Sequence, residues 1–388
     1  MNVLFDDCGL REPVGGVSRY FSELIRHLPS DVRWEIAASE TTNAFLKREP
    51  FNLPQARHSI RDLLPGVHFR GKSIVHRALS LAGVYRGMEL ENDRLFSSAL
   101  RRGDADIVHL TGPHGTGTVW RGRTGRAKTV MTVHDLIPDM WCTGVRGNRV
   151  RHQRKYDLAH CDAIIAVSES TKRDLLRLYD VAESKVSVIH HGWCARVPRG
   201  SGEAVHPGKY ILFVGKRAWY KNFDFFVREL VPLMETDREL KLVCAGGAFN
   251  EGERLLLAQL GLADRAVTRL VSDAELADLY AHAQCFVYPS RYEGFGIPIL
   301  EAFAAGCPIV LSNASCFPEI GGDAALYFEL DDGESMRAAI RSAMGCRRTE
   351  LVEKGRTRLR EFSWEKCARK TLTVYNSVYN SVLGATCE

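Results

Sequence analysis

Tyr288-Pro289-Ser290-Arg291-Tyr292-Glu293-Gly294-Phe295-Gly296-Ile297-Pro298-Ile299-Leu300-Glu301-Ala302-Phe303-Ala304-Ala305-Gly306 is the stretch that decides the fold. The apolar run Phe286–Pro289 reads as a buried strand. It passes into a Gly-rich loop, then into a helix with Pro298 in its first turn and Gly306 just past its end. Gly294 and Gly296 let the backbone approach a ligand closely, and the helix start offers free N–H groups and a positive dipole end. That suits a phosphate or a sugar hydroxyl. Glu293 precedes the turn and Glu301 sits one turn into the helix, so both can face one ligand from different depths. Glu301 stands among Leu300, Ala302, Phe303 and Ala304, where an idle carboxylate is costly.

A second anion site is legible in Phe213-Val214-Gly215-Lys216-Arg217-Ala218-Trp219-Tyr220-Lys221-Asn222-Phe223. Again a buried strand ends in Gly, and a helix is expected to begin near Asn222, a residue suited to the N-cap. Lys216, Arg217 and Lys221 lie between them. A guanidinium fork plus an ammonium beside a helix start suits a diphosphate.

Working outward, apolar runs alternate with helical patterns along the whole chain, the sign of parallel βαβ units. Strands are expected at Asn2–Phe5, Asp106–Leu110, Thr129–Val133, Ala163–Val167 and Val186–His190, then at Tyr210–Val214, Leu240–Ala245, Phe286–Pro289 and Pro308–Leu311. Helices are expected at Ser18–Leu28, Lys172–Tyr179, Phe223–Met234 and Ala274–Ala283, with amphipathic helices between Phe45 and Arg102. The Pro- and Gly-rich segment 196–208 reads as a linker. The expectation is an α/β chain of two doubly wound domains facing a cleft. Ligands of such sheets bind beyond the carboxyl ends of the strands.

The 388 residues are 45% hydrophobic and 26% charged, which excludes a mainly disordered or fibrous chain. No apolar run approaches the roughly 20 residues that a spanning helix needs. The start, Met1-Asn2-Val3-Leu4-Phe5-Asp6-Asp7, lacks the basic segment of a signal peptide, so a cytoplasmic protein is expected. Eleven Cys include no C-x-x-C pair and read as reduced, buried small hydrophobes. Residues 1–196 carry a net charge of +7 and the remainder −2. The basic residues crowd Arg57, Arg61, Arg70, Lys72, Arg77 and Arg86, and again Arg146, Arg149, Arg151, Arg154 and Lys155. Such a field favours an anionic partner, either a phosphorylated acceptor or an acidic lipid surface. Nucleic acid is not expected, because no binding motif accompanies the charge.

His134, after a buried strand, reads equally as a structural or a catalytic histidine. Asp135 invites a hydrolase triad, but no G-x-S-x-G elbow is present. Ser168, before Glu169-Ser170-Thr171, reads as a helix N-cap. Gly15-Gly16 breaks the G-x-G-x-x-G spacing, so NAD is disfavoured. Asp-x-Asp is not among the motifs read anywhere in the chain, so no metal or other cofactor is expected. Cationic side chains and helix ends would supply the charge.

Glu293 and Glu301 with Gly294-Phe295-Gly296 between them, and the Gly215-x-Arg217-x-x-x-Lys221-Asn222 loop, resemble glycosyltransferase family 4. Its members are retaining nucleotide-sugar transferases of GT-B fold. Thr132-Val133-His134-Asp135-Leu136-Ile137-Pro138 resembles the family's N-domain histidine motif, and Val167-Ser168-Glu169-Ser170 the segment after it. Phe362-Ser363-Trp364-Glu365 resembles the opening of a last helix that crosses back to the first domain. The resemblance implies two Rossmann-like domains. An acceptor-binding domain would span 1–196 plus about 370–388, and a donor-binding domain 197–369. Glu301 would bind the ribose hydroxyls, and Glu293 with the Phe295–Ile297 backbone the donor sugar. Arg217 and Lys221 would neutralise the departing diphosphate, with Lys216 the alternative to Arg217. Gly16 would sit against phosphate or sugar, and His134 near the reacting carbon. Leu270 and Val271 would present backbone to the base.

The histidine motif resembles that of bacterial mannosyltransferases of polysaccharide assembly. This implies a nucleotide-sugar donor, GDP-mannose foremost, and a saccharide or lipid-linked acceptor, with peripheral contact to an anionic membrane. A UDP-sugar transferase, and an epimerase or hydrolase of the same fold, are the alternatives. An idle sugar-nucleotide-binding subunit is disfavoured by the intact Glu293, Glu301, Arg217 and Lys221 set.

Overall fold

The computed structural model describes residues 1–12, 15–54, 87–112, 124–193 and 205–385. The first basic cluster, most of the linker and much of the amphipathic stretch lie outside the described residues. The chain forms two compact units. One comprises residues 1–167, 172–189 and those from Trp364 onward; the other comprises 168–171 and 190–363.

The first unit holds a parallel sheet of β1 (Asn2–Phe5), β2 (Arg33–Ile36), β3 (Ile107–Leu110), β4 (Lys128–Val133), β5 (Ala163–Ala166) and β6 (Val186–Val188). Their spatial order is β2-β1-β3-β4-β5-β6. Helices α1 (Gly16–Arg26), α2 (Gly87–Arg102), α3 (Ile137–Trp141), α4 (Gly144–His160) and α5 (Glu169–Leu178) follow in sequence.

The second unit holds another parallel sheet, made of β7 (Tyr210–Val214), β8 (Lys241–Ala245), β9 (Ala266–Arg269), β10 (Cys285–Tyr288), β11 (Ile309–Ser312) and β12 (Leu326–Phe328). Its order is β12-β11-β10-β7-β8-β9. The chain therefore reverses direction across the sheet between β7 and β10, the position where doubly wound sheets bind ligands. Its helices are α6 (Phe223–Thr236), α7 (Glu251–Gln259), α8 (Asp273–His282), α9 (Ile297–Ala305), α10 (Phe317–Gly321), α11 (Gly333–Met344) and α12 (Arg348–Leu359).

The expected strands fall where the apolar runs place them. The three strands the pattern does not reveal, β2, β9 and β12, all lie at sheet edges. An edge strand is covered on fewer sides, so it needs no continuous apolar run; Arg33-Trp34-Glu35-Ile36 buries only Ile36. By contrast, all five residues of β7 are buried. Helix α6 buries Phe223, Phe226, Val227, Leu230, Leu233 and Met234, a stripe at helical spacing. That stripe joins Ile211, Phe213, Leu242 and Cys244 in one core, and each such side chain contributes about 1.5–3 kcal/mol.

The last helix, α13 (Trp364–Ala385), belongs to the first unit. It buries Trp364, Cys367, Ala368, Thr371, Tyr375 and Val378. Trp364 lies edge-on to Tyr20 at 5.9 Å, and Tyr375 shares a hydrogen bond with the His109 ring.

Three expectations need correction. Asn222 precedes α6, but it adopts left-handed backbone (φ 56°) and its side chain makes no cap hydrogen bond. Arg154, counted with the basic surface, is buried against Asp139 at 2.9 Å, and its neighbour Arg151 donates to the Asp139 and Cys142 carbonyls. The described cysteines are free, and Cys161, Cys244, Cys285, Cys307, Cys316 and Cys367 are buried, but Cys346 is exposed; Cys194 and Cys387 lie outside the described residues.

Candidate active site

At the end of β7 the chain turns through Gly215, whose φ of 111° is open to glycine. Opposite it, Gly246 ends β8 with φ 158°, and a Cβ there would lie 2.8 Å from the Gly215 carbonyl oxygen. Two strand ends thus approach through backbone alone. Lys216 points to solvent. Arg217 turns inward: its Nε donates to Glu253 at 2.9 Å, and its Nη2 donates to the Gly247 and Ala248 carbonyls, both at 2.8 Å. Its guanidinium lies over the Phe249 ring at 4.9 Å and the Phe223 ring at 5.7 Å. The side chain is 6% exposed, and Nη1 is buried without a hydrogen-bond partner. The same Nη1 would lie 3.7 Å from a Cβ on Gly246, so it looks onto the joined strand ends.

Glu253 is fixed in turn by the capping box of α7, in which its Oε2 accepts from the Asn250 N–H at 2.7 Å. The Asn250-x-x-Glu253 spacing is readable in the sequence. That its carboxylate also grips Arg217, 36 positions away, is not.

Lys221 lies on the other side of the reversal point. Its Nζ pairs with Glu293 at 2.6 Å, donates to the Tyr288 hydroxyl at 2.9 Å and sits 4.7 Å from that ring's centre. Ser290 donates to Glu293 at 2.8 Å, and the Glu293 N–H donates to Ser315. Burial, with the Glu293 charge beside it, holds the Tyr288 phenol well above its ordinary range. A neutral hydroxyl therefore stands beside the Lys221–Glu293 pair.

Past this cluster, Gly296 takes φ 87° immediately before α9, and Pro298 occupies the first turn. Gly294, Phe295 and Gly296 are buried, and Ile297 is half-buried. Glu301 accepts from the Tyr280 hydroxyl at 3.2 Å. Val271 lies between β9 and α8, next to Leu270, an apolar side chain 91% exposed. The structure thus brings Arg217, Lys221, Glu293 and the Gly294–Ile297 loop to the carboxyl ends of β7 and β10. Tyr288, Ser290, Glu253 and Ser315, not singled out by the sequence, hold them, and Tyr280 orients Glu301.

In the first unit, Gly16 opens α1 and is exposed. His134 follows β4 and packs edge-on to Tyr20 at 4.8 Å and Phe21 at 5.5 Å. Enclosure there, then the fields of His109 and Arg154, pushes its pKa down to about 3. It is a neutral imidazole at physiological pH. His109 beneath it bonds Tyr375 and Thr132 through its two ring nitrogens, and burial pushes it also to about 3.

An Asp-x-Asp does occur, at Asp104-Ala105-Asp106, but it stands at the amino end of β3. Asp106 accepts the Asn2 backbone N–H at 2.7 Å, and Asp104 faces Arg102. Among the described residues, no helix is long and apolar enough to cross a membrane.

Residues 14–193 match the family model described as Glycosyltransferase Family 4, and 208–345 match Glycosyl transferases group 1. The chain is similar to O-antigen chain mannosyltransferase B of Escherichia coli, 28% identical over 97% of this chain and 99% of that one. It is 30% identical to the MMP alpha-(1->4)-mannosyltransferase of Mycolicibacterium hassiacum, over 71% of each. Among solved structures, sucrose-phosphate synthase from Thermosynechococcus elongatus superposes with a TM-score of 0.72, at 18% identity, over 98% of this chain and 100% of that one. Two parallel six-stranded sheets of this kind are the GT-B fold, and the chain belongs to glycosyltransferase family 4.

Proposed function

We propose that the protein is a metal-independent, retaining hexosyltransferase that moves mannose from GDP-mannose onto a saccharide or lipid-linked acceptor in cell-surface polysaccharide synthesis. The observation that carries this reading is the pair of cations at the reversal point. Arg217 is pinned on three sides with Nη1 left over, and Lys221 is matched to Glu293. Groups held before a ligand arrives lose little entropy on binding it and are already oriented for developing charge. Two relatives named as mannosyltransferases support the choice of sugar.

In this reading Glu301 and the backbone near Val271 bind the nucleoside. Arg217 and Lys221 neutralise the diphosphate, with Lys216 an outer cation. Glu293 and the Phe295–Ile297 backbone hold the sugar. The acceptor hydroxyl attacks the anomeric carbon from the face the diphosphate leaves, so configuration is retained. The bond from carbon to phosphate oxygen breaks, and the departing phosphate takes the acceptor proton. A neutral His134 would donate or accept one hydrogen bond without competing for that proton, and Gly16 would approach phosphate or sugar. Arg149, His152 and Lys155, exposed on α4, support an anionic acceptor or membrane face for a cytoplasmic protein.

Thermal unfolding with GDP, UDP, ADP and dTDP, each with and without EDTA, tests the donor site. GDP at 100 times its Kd is expected to add about 2.7 kcal/mol, with EDTA changing nothing. A shift with UDP alone would overturn mannose from GDP-mannose, and no shift with any nucleotide would overturn the donor site.

A further inference from the structure

Ser168, Glu169, Ser170 and Thr171 read as a helix N-cap, and capping explains only part of what they touch. Ser168 Oγ does accept the Thr171 N–H at 3.0 Å. Its own proton goes elsewhere: Ser168 Oγ lies 2.7 Å from the Gly294 carbonyl oxygen, and Thr171 Oγ1 lies 3.3 Å from the same atom. Both side chains are fully buried. The remaining N–H groups of the turn are also held. Glu319 accepts from Glu169 N at 2.9 Å and from Ser170 N at 3.3 Å, and meets His190 Nε2 at 2.6 Å. A carboxylate at a helix N-terminus is electrostatically favourable, so this turn is fixed. All these residues lie within the second unit.

Gly294 has reason to need holding. The peptide that joins it to Phe295 is planar, so its C=O and N–H point in opposite directions. Whatever fixes the Gly294 carbonyl therefore fixes the direction of the Phe295 N–H. A glycine in a loop turns its peptide over at little steric cost. The Phe295 ring is held as well, stacked on His191 at 4.3 Å and edge-on to Phe362 at 5.9 Å.

We propose that Ser168 and Thr171 are positioning residues for the donor sugar: their hydroxyls lock the Gly294 carbonyl and thereby aim the Phe295–Ile297 backbone at the sugar. The inference rests on the donor assignment above and extends it to two residues that never touch the ligand.

Titration calorimetry on the full chain tests it, with GDP-mannose and GDP, and with UDP-glucose and UDP, as probes. For whichever pair the wild type binds, Ser168→Ala/Thr171→Val is expected to weaken the sugar nucleotide roughly tenfold and the free diphosphate by no more than about twofold. Ser168→Thr, which keeps a hydroxyl, is expected to restore most of the difference. If the double variant does not fold, Ser168→Ala alone carries the test, with about a threefold selective loss expected. Equal weakening of both ligands would show a merely structural role and overturn the proposal, as would no change in either. A wild type that binds none of the four probes would instead overturn the donor reading beneath it.

Discussion

The carboxyl ends of the two sheets are furnished differently. In the second unit the loops after β7 and β10 carry charge, Arg217 against Glu253 and Lys221 against Glu293, with Tyr288, Ser290 and backbone carbonyls completing each pair. In the first unit β3 and β4 carry imidazoles set among rings, His109 beside Phe5 and Phe21 and His134 beside Tyr20 and Phe21, while Asp7, just after β1, pairs with Arg11 at 2.7 Å. Buried cations survive because partners were built around them, whereas buried histidines survive by giving up their protons. The ends of β7 and β10 are thus equipped to meet a charged ligand, and those of β3 and β4 to offer neutral polar groups.

Acid should separate the two units most strongly. His109 and His134 titrate lower in the fold than the 6.5 of an ordinary histidine. Their neutral forms contribute stability in full above that pH and lose it as pH falls toward 3. At pH 5.5 the two together should withdraw about 3 kcal/mol from the first unit. In the second unit His206 is held low, through burial and the nearby Lys241 and Arg269. Burial raises Glu319, but the His190 and backbone hydrogen bonds outweigh it and leave it below its usual 4.5, so that stabilisation persists until pH falls below that value. Hydrogen exchange followed by peptide mass spectrometry should show β3 and β4 losing protection before β7 and β10. The reverse order would break the contrast.

Next in size is the loss of a cation from the second unit. Lys221→Met leaves Glu293 without its ion pair, and about 2–3 kcal/mol of transition-state stabilisation, or 30–150-fold in kcat/KM, should disappear. Arg217→Met should cost a similar factor. A loss under about threefold in both variants would show that neither cation meets the leaving group.

The smallest of the three concerns Glu301. The Tyr280 hydroxyl orients its carboxylate, and Glu301→Gln should raise the donor KM about tenfold with kcat little changed. Tyr280→Phe should raise it less, about threefold, because the carboxylate stays and only its orientation loosens. An unchanged KM in Glu301→Gln would mean that this carboxylate does not bind the ribose.

Much of this site is legible in the amino-acid sequence, because its signals are local. Gly215, Gly294, Gly296 and Pro298 mark where strands end and α9 begins, and they do so by backbone rules that need no partner. Asn222 shows the limit: a residue favoured as N-cap instead takes left-handed backbone, and its side chain caps nothing. Arg154 shows another, since a basic residue on a polar helix gives no sign that Asp139 waits beneath it.

The sequence by itself determined the central strands, the two Gly-ended loops and the order of the βαβ units along the chain, each from periodicity or spacing within about twenty residues. The family came from resemblance, through motifs spread from Thr132 to Glu365. Only the tertiary structure decided which charges meet. Arg217 finds Glu253, Lys221 finds Glu293, and the hydroxyls of Ser168 and Thr171 find the carbonyl of Gly294, 126 and 123 positions away. For Arg217 and Lys221 the physical reason is that a parallel doubly wound sheet gathers the carboxyl ends of strands distant in sequence along one edge. A side chain's partner there is set by strand order, which no local pattern encodes.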